Sequence, residues 1–292
     1  MATRMTSEVI TPKLTPKDIT IPGFKIYTKP PQFLPETYLL FKDKEKEAKE
    51  YLSFLKKIDS KGSSITYNKF SINDQTLATQ SESITENIDT NLIHSLKSSY
   101  ILLLYSFSEA IATTIMREIH LHLNDEFNNN SLPLRKIHNN LMNKIIHHIL
   151  NEKKCEKNIK EHIQEYIKKP RINSIDKSLF REWLMFYEEK MKEEKSCWFS
   201  GNVDHRKIKE IGETYGFYKK EYEAFFRKDQ GSTLVKVKNG RNQLAHGKKS
   251  FIEYGNDFTT PELEKFYTDV TAYLKTLIRL VNSYLENKSY IS

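Results

Sequence analysis

The chain has 292 residues, and its 46 basic against 38 acidic side chains leave a formal charge of +8 at neutral pH. That length holds one large domain or two small ones with a real core. Nine glycines and nine prolines are about half the usual share, too few chain breakers for a β-sandwich or a glycine-looped nucleotide fold, so long helices are the default expectation.

The first 34 residues and their border carry Pro12, Pro16, Pro22, Pro30, Pro31 and Pro35. Proline fixes φ and removes backbone donors, so residues 1–34 read as an extended N-terminal arm ahead of a single helical domain over 35–292. Tyr38, Leu39, Phe41, Ala48, Tyr51, Leu52, Phe54, Leu55 and Ile58 recur at three- and four-residue steps, predicting one amphipathic helix to about Ile58. Residues 59–87 are rich in Ser, Thr and Asn and read as a loop holding one hairpin around SITYNKFSI. Residues 90–123 form the most hydrophobic helix, centred on YILLLYSFSEAIATTIM, apolar nearly all round and therefore expected through the middle of a bundle.

Further helices are expected at about 133–153, 156–168, 176–195, 204–216 and 219–228, with Asn202 or Asp204 as the cap before His205. The chain closes with a helix from Ser232 to His246 and another from Thr260 to Lys288, capped by Thr259 or Thr260 with Pro261 in its first turn. Gly247 stands where a left-handed helix stop belongs. The fold class is all-α, an up-and-down helical bundle with helical insertions between its second and penultimate helices.

Two cysteines, Cys155 and Cys197, build neither a disulfide scaffold nor a paired zinc motif. The start, MATRMTSEVITPKLTPKDITIPGF, has no long apolar run, and the longest apolar stretch, Tyr100 to Tyr105, is far too short to span a bilayer. A soluble, cytoplasmic protein with no membrane partner is expected. The mild positive excess suits a polyanionic partner without requiring one. Among the nine histidines, His148 and His162 flank Cys155 at steps of seven, about 10.5 Å along a helix axis, too far apart for one ion. His120 and His122 point to nearly opposite sides, and so do His147 and His148. No metal and no other cofactor is expected. No phosphate-cradling glycine loop and no serine elbow is present.

One constellation remains, Arg241-Asn242-Gln243-Leu244-Ala245-His246-Gly247. Histidine exchanges a proton near neutral pH, and a fixed guanidinium neutralises charge gathering on a phosphorane, so the pair suits phosphodiester cleavage. No metal is needed when an RNA 2′-hydroxyl is the nucleophile. On a straight helix Arg241 and His246 lie about 140° apart, whereas Asn242 and His246 share a face. Arg241 must therefore curl back across the helix end, or a second subunit must complete the site. Spacing alone does not single the pair out, because Arg117 and His122 match it inside the hydrophobic helix; those two read as structural.

RNQLAHG, followed by Ser250 and Phe251, closely resembles the signature of the HEPN superfamily: an arginine, a polar residue, then a histidine. LLLYSFSEA resembles the Tyr-and-Glu helix of the larger, full-length HEPN-like nuclease family of bacteria. SGNVDHRKIKEIGETYGF is similar to that family's segment ahead of the motif, and NSYLENKSYI to its C-terminal tail. The resemblance runs over residues 36 to 291 in the right order. It implies a HEPN-like bundle and a metal-independent endoribonuclease, a toxin or antiviral-defence effector held in check by an antitoxin or regulatory protein. Arg241 and His246 would be catalytic, Asn242 would orient them, and Glu109 would be a supporting acid from the hydrophobic helix.

Two departures stand out. Gly240 precedes Arg241, where a helix prefers another residue by about 1 kcal/mol and where a bend would result, and Ser106 replaces the family's asparagine after its tyrosine. Lys236, Lys238, Lys248 and Lys249 flank the motif and would draw in RNA phosphates. A homodimer with two motifs facing one groove is expected, since two copies supply both a proton acceptor and a proton donor. The alternative is a catalytically inactive HEPN-type RNA-binding or protein-interaction module.

Overall fold

The computed structural model describes residues 31–59, 63–73, 78–151, 177–192, 198–199 and 201–291. The expected helix at 156–168, nearly all of the proline-rich arm, both cysteines and His162 lie outside the described residues. Helix α1 runs Pro35–Ile58, ending where the periodicity predicts. Its N-cap, Leu34, has no polar side chain to offer. Glu118, buried on the next long helix, takes that part by accepting from the N–H groups of Glu36 and Thr37 at 2.9 and 3.0 Å.

Strands β1 (Ser64–Asn73) and β2 (Ala78–Asn87) form an antiparallel hairpin, with Ser64 opposite Asn87. It is the only sheet among the described residues. Helix α2, Thr90–Asn128, begins at Asp89, whose carboxylate accepts from Asn91 N–H at 3.1 Å. Its 39 residues span about 58 Å. A 3-10 turn at Leu134–Lys136 leads into α3, Asn139–Asn151, and α4 follows at Lys177–Lys192. Helix α5 is His205–Tyr215, capped by Asp204 and closed by Gly216 at φ +90°. Helix α6 is Lys228–Ala245, α7 is Phe251–Asn256, and α8 is Thr260–Glu286 with Thr259 and Glu262 as a capping box.

The largest differences from the sequence reading lie around α6 and α7. The helix expected at 219–228 is only a 3-10 turn, Lys220–Phe225. Helix α6 then starts at Lys228 rather than Ser232, because the Gln230 side-chain carbonyl takes the Arg227 N–H at 3.1 Å and opens the helix early. Helix α7 was not expected at all; six residues are too few to show a period.

The bundle is α1, α2, α6 and α8, with α7 laid against the N-terminal part of α2. Tyr100, Ile101, Leu104, Phe107, Ile111, Ile115 and Ile119 are all buried, each contributing about 1.5–3 kcal/mol. By length and composition α2 would cross a membrane, with a window of mean hydropathy 1.3, yet 61% of that window is buried inside the protein. Its apolar faces meet other helices.

Helices α3, α4 and α5 make a satellite layer. There the buried His120 lies among Trp183, Tyr187, Trp198 and Tyr215, its ring nitrogen Nε2 2.8 Å from the Tyr215 hydroxyl. The chain end is tied down as well. Tyr290 donates to the Glu126 carboxylate at 2.5 Å, and its carbonyl accepts from His138 N–H at 2.9 Å.

Candidate active site

The motif sits at the C-terminal end of α6, and its helix stop is as expected. His246 is the C-cap at φ −95°, Gly247 follows at φ +63°, and the N–H groups of Gly247 and Lys248 return to the carbonyls of Leu244 and Gln243 at 3.1 and 2.9 Å. These are the two bonds of a Schellman stop. His246 is thereby left exposed on the last turn, facing outward.

Gly240 does not interrupt the helix, which continues through it as part of α6. A Cβ at this position would collide with the hydroxyl of Tyr254 on α7 and press on Ile101 of α2. The glycine is there for close approach of three helices. Burial pushes the Tyr254 phenol up to about 12.

Arg241 turns away from His246, toward α2. Its guanidinium carbon stands 4.9 Å from the centre of the Tyr105 ring, a cation–π distance. Its Nη1 donates to Asn242 Oδ1 at 3.0 Å, so the Asn242 side chain serves the arginine, while its carbonyl accepts from His246 N–H at 3.1 Å within the helix. No carboxylate pairs with Arg241 among the described residues, and none of its other partners is an anion. The arginine is half-buried and has no counter-ion among the described residues.

Glu109 reaches this centre through Tyr105, one helical turn before it. The phenol has one proton and two acceptors in reach, the Gly201 carbonyl at 2.6 Å and Glu109 Oε1 at 3.2 Å; the shorter bond takes the proton. Val203 N–H approaches the same oxygen at 3.4 Å. Burial pushes the Tyr105 phenol up to about 12, with the Val203 bond and Arg241 opposing the shift and Glu109 adding to it. Tyr105 stays protonated.

The flanking lysines divide into two kinds. Lys238 pairs with Asp204 at 3.0 Å and Lys249 with Asp257 at 2.5 Å, whereas Lys236 and Lys248 are exposed. Burial works to raise the Asp204 carboxyl, but the Lys207 N–H bond and the Lys238 ammonium outweigh it and hold the group below its ordinary range. Lys238 is thus a counter-ion within the fold. No group of three or more His, Cys, Asp or Glu side chains stands ready to share a metal ion among the described residues.

The stretches LLLYSFSEA, GNVDH and RNQLAH, distant in sequence, meet here through Tyr105, Glu109, Gly201, Arg241 and Asn242. Tyr105 and Gly201 were not among the expected site residues. The i, i+4 spacing of Tyr105 and Glu109 was a readable sign for the first; nothing local marks the second. Arg241 and His246, expected to work together, make no contact with each other in one chain.

An all-α bundle carrying an arginine on an aromatic face, five residues before an exposed histidine, defines the class of fold. The chain belongs to the HEPN_MAE_28990-like HEPN family, whose model matches residues 39–290. No curated protein and no solved structure gives a significant match.

Proposed function

We propose that the chain is a metal-independent endoribonuclease of the cytoplasm. Membership of a HEPN family fits a nuclease or an RNA-binding module. The observation that carries the finer reading is Arg241: half-buried, seated on Tyr105 and free of any carboxylate partner among the described residues. An unneutralised guanidinium held ready is what a phosphorane requires. His246, exposed at the helix end, takes the proton of the RNA 2′-hydroxyl as that oxygen attacks phosphorus. The P–O5′ bond breaks, leaving a 2′,3′-cyclic phosphate and a 5′-hydroxyl.

The leaving oxygen needs a proton, and the His246 of a second copy supplies it. A two-fold dimer with the motifs facing one groove also answers why Arg241 and His246 lie apart in one chain. Phe251 and Ile252, 39% and 41% exposed just past the motif, give such a face apolar surface. Asn242 steadies Arg241, Glu109 braces Tyr105, and Lys236 and Lys248 are the lysines available to RNA phosphates. An activity of this kind suits a toxin or antiviral-defence effector restrained by an antitoxin or regulatory protein.

The test is cleavage of total RNA in EDTA by wild type and by His246→Ala. Wild type should cut RNA but neither DNA nor 2′-O-methyl RNA, and the variant should not cut. Activity lost on chelation and restored by Mg²⁺ would sink the mechanism. A dimeric chain that binds RNA and never cuts it would establish the inactive-module alternative instead.

A further inference from the structure

Arg241 is held by two groups outside its own helix. One is the face of the Tyr105 ring on α2, 4.9 Å away. The other is Gly201, where an added Cβ would lie 3.5 Å from Nη2. The guanidinium therefore occupies a slot between an aromatic face and a stretch of bare backbone. Gly201 adopts φ +71°, a conformation natural to glycine, and a Cβ there would stand in ordinary contact with the guanidinium.

Tyr105 makes one wall and secures the other. Its ring is the first wall, and its hydroxyl fixes the Gly201 carbonyl at 2.6 Å. The segment carrying Gly201 is anchored on both flanks. Trp198 stacks on Tyr187 with ring centres 5.3 Å apart, Val203 is buried, and Asp204 pairs with Lys238, one turn before Arg241 on α6. A long side chain with many rotamers is costly to order when substrate arrives. A slot that orders it beforehand removes that cost from the reaction.

We propose that Tyr105 is the positioning residue of this site: it aims Arg241 at the scissile phosphate through its ring and through its hold on Gly201, without touching substrate. The proposal rests on the ribonuclease reading above. Tyr105→Phe keeps the ring and releases Gly201, so kcat falls roughly threefold; Tyr105→Leu removes both supports and kcat falls roughly thirtyfold, while KM moves less than roughly threefold. Loss of folding alone would lower the active fraction without this graded order, and circular dichroism reports it separately.

The second arm needs no cleavage. The Arg241 side-chain NMR signals, assigned through Arg241→Lys, should carry the ring-current shift of an aromatic face in the wild type. They should lose it in Tyr105→Leu, and they should move in Gly201→Ala, which leaves Tyr105 intact. Unshifted Arg241 signals in the wild type overturn the slot whatever the activity, and a folded Tyr105→Leu chain with wild-type kcat overturns the positioning role. A chain without ribonuclease activity but with shifted signals upholds the slot and defeats only the function assigned to it.

Discussion

Helices α2 and α6 carry the same pair at the same spacing, Arg117 with His122 and Arg241 with His246, and the fold treats them in opposite ways. In the middle of α2, Arg117 is paired to Glu36. His122 lies 3.2 Å from the Tyr290 hydroxyl and edge-on to Phe33. Every charge there is answered by the chain itself. At the end of α6, Arg241 has an aromatic ring and an amide in place of a carboxylate, and His246 faces outward. The difference lies in position along the helix and in counter-ions, not in the residues. On the proposed function, the arginine that acts is the one the fold supports without a carboxylate partner among the described residues.

The largest effect should separate the two pairs by activity. On the proposed function, Arg241→Ala and His246→Ala each lower RNA cleavage by at least about 100-fold with little change in melting temperature. Arg117→Ala and His122→Ala do the reverse, keeping the cleavage rate per folded molecule and losing about 1 kcal/mol of stability. Cleavage rates beside thermal melts decide it. Equal loss of activity from both pairs would erase the distinction.

The α2 pair also predicts how stability depends on pH. Burial holds His122 below the usual histidine range, opposed by Glu126, and burial likewise depresses His138 and His205. A histidine depressed in the folded state binds its proton more readily when unfolded. Its contribution is therefore complete above the ordinary value of 6.5 and is lost as pH falls toward the folded value. Glu126 acts lower down: burial raises it, but the bonds from Lys288 and Tyr290 prevail and depress it, so its contribution is lost as pH falls below the ordinary 4.5. The melting temperature should decline from pH 7 to pH 5 and more steeply below. His122→Gln should flatten the upper part of that decline, and an unchanged slope would remove His122 from the account.

Much of this was legible in the residues. The period of Tyr38 to Ile58, the apolar core around Tyr100–Met116, the Asp204 and Thr259 caps and the Gly247 stop all report local physics, and the structure has them in place. Helix α7 was overlooked although Ser250 and Glu253 spell its capping box, with Ser250 N–H donating to Glu253 at 2.8 Å. The site was legible only in part. Arg241, Asn242 and Glu109 could be named, but that Tyr105 touches both Arg241 and Glu109, or that Gly201 borders the guanidinium, depends on how α2, α6 and the 201–203 segment meet. Nor does sequence tell that Lys238 is committed to Asp204 while Lys248 is exposed.

The smallest expected effect concerns how each helix presents its histidine. His122 lies inside α2 and needs no stop; His246 is presented because α6 ends there. That ending depends on Gly247 at φ +63°, a conformation that costs a residue with a Cβ about 1–2 kcal/mol. Nothing lies within 4 Å of the position a Cβ at Gly247 would take, so the cost of Gly247→Ala is backbone strain alone. The variant should lose about 1 kcal/mol of stability, and Gly247→Asn less, because asparagine tolerates the left-handed region. If the alanine variant relieves its strain by continuing α6, the outward face of His246 is lost and cleavage falls a few-fold beyond what unfolding explains. If the strain is simply borne, stability drops while the rate per folded molecule holds. Amide exchange at Lys248, whose N–H closes the stop on Gln243 at 2.9 Å, distinguishes these results: faster exchange accompanies an opened stop. Protection unchanged together with unchanged stability would mean that Gly247 does not set the helix end, and that the presentation of His246 has another cause.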